Sequence, residues 1–101
     1  MVMELTVIPL GTGSSISTKL AELIKIIDAS GLDYRVTAFG TLVEGSLEQL
    51  LDLTRHCHLE ARKQADRVLT MLRLDDFGPR MGELNGAVER VEKKIGRAVR
   101  K

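Results

Sequence analysis

Residues 34–45 read "YRVTAFGTLVEG", and the way this stretch folds decides the rest of the chain. The segments "YRVTAF" and "TLVE" are rich in β-branched and aromatic residues, with Gly40 between them. Two short strands joined as a hairpin follow. A single glycine is too little for a standard two-residue loop, so the bend borrows Phe39 or Thr41. A hairpin here forces one antiparallel pair into the sheet.

Working outward, residues 3–9 ("MELTVIP") alternate and form a strand, which Pro9 ends because proline cannot donate into a ladder. A loop follows, with Ser17 as the N-cap of a helix. From Thr18 the apolar positions Leu20, Leu23, Ile24 and Ile27 share one helical face. Gly31 closes that helix as a left-handed C-cap. Ser46 and Gln49 have capping-box spacing. They open a second helix whose apolar face carries Leu47, Leu50, Leu51, Thr54, Cys57, His58, Ala61 and Ala65. Residues 67–75 ("RVLTMLRLD") form a fourth strand, and Asp76 to Gly82 a turn region. A last helix runs from about Gly82 to the end. Its stripe of Leu84, Val88, Val91, Ile95 and Ala98 is narrow and needs a packing partner.

The order β-α-β-β-α-β plus a helix predicts an α+β fold: a ferredoxin-like βαββαβ sandwich with an additional C-terminal helix, in one domain over 1–101. Right-handed crossovers put the first two helices on one face of the sheet. The other face is then open. Strand alternation assigns Glu4, Thr6, Ile8, Arg35, Thr37, Phe39, Leu42, Glu44, Leu69, Met71, Arg73 and Asp75 to it. That mixture of large apolar and ionisable groups suits subunit packing around a polar pocket.

Composition narrows the function. The chain has 101 residues with 44% apolar, which excludes disorder, and 3% aromatic, too few rings for a single-strand nucleic-acid binder. A net charge of +1 gives no global field toward nucleic acid or an anionic membrane. Cys57 stands alone, so no intrachain disulfide forms, and a reducing, cytoplasmic location is expected. The start carries no signal-peptide pattern, and no apolar run approaches the ~20 residues that span a bilayer.

Few motifs carry chemistry. Gly11, Thr12, Gly13 and Ser14 make a strand-to-helix loop that presents amides to an anion, or simply caps the helix. It lacks the Lys-Ser/Thr of a phosphate-binding loop and the last glycine of a dinucleotide fingerprint. His56 and His58 lie two apart on a helix and point to different sides, so no metal site is expected. His58 is read as a half-buried helix-face histidine and Cys57 as small core. Asp75 and Asp76 alternate on a strand and form no dyad. Ser14, Ser15 and Ser17 have no matching His and acid. No catalytic set emerges, and the expectation is a non-enzyme. The basic residues after Val88 are the solvated side of an interface helix.

Three blocks, "ELTVIPLGTGSSIS" (4–17), "YRVTAFGTLVEG" (34–45) and "DRVLTMLRLDD" (66–76), resemble in register the thiamine-binding-protein family of the YkoF-like superfamily. The resemblance covers nearly the whole chain. It implies a ferredoxin-like homotetramer, a dimer of dimers, that binds thiamine or its hydroxymethylpyrimidine moiety without a known reaction and with no cofactor. Thr37, Gly40, Thr41, Glu44, Arg67, Asp75, Asp76, Gly11 and Gly13 match the family motifs. Phe77 replaces the basic residue the family commonly has after the paired aspartates, and Ala87 replaces a lysine in its last helix.

The ligand set read for this chain is therefore Thr37, Phe39, Gly40, Thr41, Glu44, Arg67 and Asp75. A carboxylate at Glu44 would pair with the aminopyrimidine, Thr37 would add a hydroxyl and Phe39 a stacking ring. The competing reading pairs Glu44 with Arg35 or Arg73 across the strands, in an assembly module without a small ligand. A salvage enzyme, perhaps a hydrolase, is the third reading, without catalytic residues to support it.

Overall fold

The computed structural model describes residues 1–11 and 16–101. Four strands, β1 (Val2–Leu10), β2 (Asp33–Val36), β3 (Thr41–Glu44) and β4 (Arg67–Asp75), form one sheet in the order β2-β3-β1-β4. Every neighbouring pair is antiparallel. Helices α1 (Ile16–Ala29) and α2 (Leu47–Gln64) pack on one face and against each other, and α3 (Glu83–Ile95) follows β4. This is the expected ferredoxin-like α+β plan with an added C-terminal helix.

The inner face follows from alternation. Met3, Leu5 and Val7 of β1 and Val43 of β3 are buried against Leu23 and Ile27 of α1 and Leu50, Leu53, Cys57 and Ala61 of α2. Met3, Leu50, Val43 and Cys57 are the largest side chains with essentially no exposure. Each full burial of this kind contributes roughly 1.5–3 kcal/mol for a large aliphatic side chain. Thr54 sits in this core because its hydroxyl donates to the Leu50 carbonyl at 2.8 Å, so no polar group is left unmet. His58 is half-buried with Nδ1 2.7 Å from the Thr70 hydroxyl, tying α2 to β4.

Local signals set the element ends. Ser46 caps α2 with the expected box: its hydroxyl accepts from the Gln49 amide at 3.2 Å, and Gln49 Oε1 accepts from the Ser46 amide at 2.9 Å. Gly31 takes φ +77° just after α1, the left-handed geometry expected there.

Several boundaries differ from the sequence expectation. The first helix begins at Ile16, so Ser17 lies inside its first turn and is not the N-cap. Pro9 does not end β1: it is buried in the strand opposite Val68 of β4. Beyond Leu5, β1 has β4 as its one strand neighbour, so a residue without an N–H is tolerated there. The apolar face of α2 includes Leu53, while Leu47 and Leu51 are exposed. The last helix stops at Ile95, where Gly96 adopts φ +78° and its amide donates to the Glu92 carbonyl.

The outer face is not fully open. The N-terminus of α3 rests on it at β3, with Leu84 and Glu83 buried. Arg35 of β2 donates to the Asn85 side chain, a second tie between this helix and the sheet. Beyond its first turn α3 leaves the sheet, and Val91 and Ile95 are about half exposed.

Candidate functional site

Residues 37–40 form a four-residue loop between β2 and β3 rather than strand, so Thr37 and Phe39 do not follow the strand alternation. Thr37 organises the loop. Its amide and hydroxyl both donate to the Gly40 carbonyl, at 2.9 and 2.7 Å, and its hydroxyl accepts from the Phe39 amide at 3.2 Å. The Thr6 hydroxyl donates to the Phe39 carbonyl at 3.0 Å and pins the loop to β1. Gly40 is required by close approach: a Cβ there would lie 2.7 Å from Thr6 Oγ1 and 2.9 Å from the Leu5 carbonyl oxygen, at φ +154°. With its loop bonds made, Phe39 is 87% exposed, a free ring at the loop tip.

The short hairpin leaves a gap. β1 runs on to Leu10, but its pairing with β3 stops at Leu5. Between the loop, the unpaired side of β1 and α1 lies a cavity of about 330 Å³. Its apolar walls are Ile16, Leu20 and Ile24 of α1 and Val36, Ala38 and Phe39 beside the loop, with Leu5, Val7 and Cys57 at its base. Among the described residues, no charged side chain lines it. Its polar surface comes from Thr6, Thr37, Thr41 and main-chain groups. The volume is at the lower end of the range for small-molecule sites. Cys57, the lone cysteine, is fully buried, and burial pushes its thiol up to about 11, so it is inert core at neutral pH.

The expected ligand residues therefore divide. Thr37, Phe39, Gly40 and Thr41 converge on the cavity. Glu44 does not. Its carboxylate is buried under α3, where one oxygen accepts from the Glu83 amide at 3.0 Å and the other from the Leu84 amide at 3.2 Å. This corrects the cross-strand reading: Glu44 holds neither Arg35 nor Arg73, and both its oxygens accept from the helix. Gly82 at the N-cap has no side chain to cap α3, so a carboxylate from β3 meets the orphan amides and the positive helix end instead. Arg73 pairs with Glu4 at 2.8 Å.

Arg67 and Asp75 stand at opposite ends of β4, opposite Leu10 and Val2, roughly 26 Å apart along the strand. They do not join Thr37 and Gly40. Asp76 turns the chain by accepting from the Gly78 amide at 2.8 Å. Gly11 ends β1, while Thr12, Gly13 and Ser14 of the expected anion loop lie outside the described residues. Among the described residues, no three His, Cys, Asp or Glu side chains converge as metal ligands, and no helix is long and apolar enough to cross a membrane.

Sequence reasoning missed Ile16, Leu20, Ile24 and Val36 as cavity walls. Leu20 and Ile24 were assigned to core by helical spacing. The available signal was the length mismatch between the first strand and the short hairpin strands, which leaves part of α1 facing no strand.

Relatives of the chain are small proteins of similar length. It is 40% identical over 96 residues to a UPF0045 protein of Methanothermobacter thermautotrophicus, covering 91% of this chain and 96% of that one. A UPF0045 protein of Staphylococcus xylosus is 37% identical over 100 residues, covering 93% and 94%. Among solved structures, a hypothetical protein of Methanocaldococcus jannaschii superposes with a TM-score of 0.76 at 30% identity, over 94% of each chain. A Thermotoga maritima protein, provisionally assigned to thiamine biosynthesis or salvage, shares the fold with a TM-score of 0.73 at 23% identity over 92% and 96%. The sequence pattern described as thiamine-binding protein matches residues 3–93. With that match over most of its length, the chain belongs to the thiamine-binding protein family.

Proposed function

We propose that this protein is a non-enzymatic binder of thiamine or a related hydroxymethylpyrimidine, and that the pyrimidine ring enters the cavity between α1 and the 37–40 loop. The observation that carries this reading is the combination of apolar walls with an unpaired strand edge. An extended residue presents its N–H and C=O side by side on one edge. An aminopyrimidine offers a complementary donor and acceptor, an amino group beside a ring nitrogen. The ring faces would rest on Leu20, Ile24 and Val36. The described lining carries no charged group, which keeps a cationic thiazolium out of the cavity, since an unpaired buried charge is costly. The thiazolium would stay at the mouth, where the exposed Phe39 ring offers a cation–π contact.

The site in this proposal is the helix-covered side of the sheet. It replaces the expected site on the outer face, because Glu44 is engaged by α3. Calorimetric titration with thiamine and with hydroxymethylpyrimidine tests it. Saturable heat is expected from both ligands. Val36→Trp, a change at a half-exposed position on the cavity mouth, should weaken binding at least tenfold, whereas Glu44→Gln should leave affinity within about twofold. No heat at millimolar ligand, from protein shown to be folded, would refute the binder and leave the assembly module.

A further inference from the structure

The edge of β1 that faces the cavity carries a defined order of donors and acceptors. The Gly45 amide donates to the Met1 carbonyl at 3.0 Å, one step before the paired residues Val2 and Glu44. Hydrogen-bonded pairs alternate with non-bonded ones along an antiparallel ladder. Met3–Val43 and Leu5–Thr41 are therefore the next bonded pairs, and Leu5, Val7 and Pro9 turn their main-chain groups to the β3 side. The even-numbered residues of β1 turn theirs to β4. Pro9 stands opposite Val68 in a non-bonded pair of that ladder, so its missing N–H costs the sheet nothing.

Past Leu5, β1 has no strand on the β3 side among the described residues. Continuing the register would put Phe39 opposite Val7, but Phe39 lies in the loop and its carbonyl accepts from the Thr6 hydroxyl. Among the described residues nothing takes the Val7 N–H or C=O, and Val7 lines the cavity. Along this edge the Leu5 carbonyl is taken by Thr41 and crowded by Gly40. The Val7 N–H and C=O follow, both open. Pro9 comes next, with a carbonyl and no N–H.

We propose that this edge selects a 4-aminopyrimidine against its 4-oxo counterpart, with the Val7 main chain as the reader and Pro9 as a specificity-determining residue. The inference rests on the placement of the pyrimidine in the cavity proposed above. The Val7 N–H donates to ring N3, and the 4-amino group donates to the Val7 carbonyl. In the 4-oxo lactam N3 carries a proton and O4 accepts, so in the same pose donor faces donor and acceptor faces acceptor. Two shifted poses would rescue the lactam, and both are closed. One sets O4 on the Val7 N–H and N3–H on the Leu5 carbonyl, which Thr41 already holds. The other sets N3–H on the Val7 carbonyl and O4 on the N–H of residue 9, which proline lacks. A site built on such a pair rejects the mismatched analogue because its own polar groups are left unpaired.

Calorimetric titration with 4-amino-5-hydroxymethyl-2-methylpyrimidine and with its 4-oxo analogue tests this. The oxo compound should bind at least about 100-fold more weakly. Pro9→Val gives residue 9 an N–H on the same edge, and the amino-to-oxo affinity ratio should fall at least about tenfold through a gain in oxo binding. In amide-resolved magnetic resonance, saturation with the amino compound should move the Val7 amide proton downfield by more than those of Thr6 and Ile8, whose N–H groups are spent on β4. Binding of neither compound would refute the cavity reading and this inference with it. Binding of both within about threefold would leave the cavity reading standing and overturn this one. An unchanged ratio in folded Pro9→Val, or an unmoved Val7 amide, would overturn it as well. If Pro9→Val does not fold, the ratio in the unaltered chain and its Val7 amide decide the matter.

Discussion

Replacing Glu44 by alanine should release α3 from the sheet without unfolding the sheet. The Glu44 carboxylate accepts the Glu83 and Leu84 amides at 3.0 and 3.2 Å while the residue is buried. Alanine removes the acceptor and leaves two helix-end N–H groups facing a space too enclosed for easy hydration. Loss of a helix cap costs about 0.5–2 kcal/mol, and hydrogen bonds to a charged partner about 1.5–3 kcal/mol. Because the two bonds form one cap, their costs overlap, and a total of about 2–3 kcal/mol is expected. The other ties of α3 are burial of Leu84 and the contact between Arg35 and Asn85. They contribute a similar amount, so the loss is a large share of docking. The remainder of α3 touches little else. Opening should therefore be local. Hydrogen exchange followed by mass spectrometry provides the assay. Amides of Glu83–Ile95 should exchange about 30- to 140-fold faster in Glu44→Ala, with β1 and α2 changed less than about threefold. Glu44→Gln keeps one neutral acceptor and should fall between. Uniformly faster exchange over the whole chain, or no change in α3, would refute the cap.

Further predictions follow from the same geometry. Gly40→Ala forces a Cβ into Thr6 Oγ1 and the Leu5 carbonyl, and should cost about 2–3 kcal/mol in urea unfolding, with the 37–40 loop displaced. Ser46→Ala removes the capping box of α2 and should cost about 1 kcal/mol by the same measurement. Glu83 is held below the usual carboxylate range, chiefly by its bidentate hydrogen bonds to Arg90, against the opposing effect of burial. Its folded value is depressed, so its contribution is fully present above the unfolded value near pH 4 and is lost as pH falls through the folded one. Acid should thus loosen α3 before the sheet, seen as earlier loss of protection in Glu83–Ile95, and Glu83→Gln should abolish that acid step.

Periodicity made much of the fold legible. The limits of β4 were read correctly from alternation over 67–75, and the capping box of α2 from two residues at fixed spacing. Such signals are local, and local chemistry enforces them. The errors arose where distant parts of the chain meet. "YRVTAF" continues its alternation past Val36, but the strand ends there because Thr37 turns its hydroxyl and amide onto Gly40. Pro9 looked like a terminator, yet its strand has lost one neighbour by that point. Glu44 was correctly placed on the outer face, but its partner lies 39 residues further on and is backbone, which no pairing of side-chain types reveals. One clue was available: the last helix opens at Gly82, with no polar side chain of its own to cap it. Four of the seven expected ligand residues do cluster, because they share one hairpin. Glu44 turns to the other face of β3 and bonds the start of α3, while Arg67 and Asp75 stand at the two ends of β4.

The most direct test of the proposed site is an intermolecular nuclear Overhauser measurement on methyl-labelled protein saturated with thiamine. The pyrimidine methyl and ring protons should give contacts to Leu20, Ile24 and Val36, which wall the cavity. Contacts instead to Leu42, Leu69 or Met71 would put the ligand on the outer face of the sheet and contradict the account.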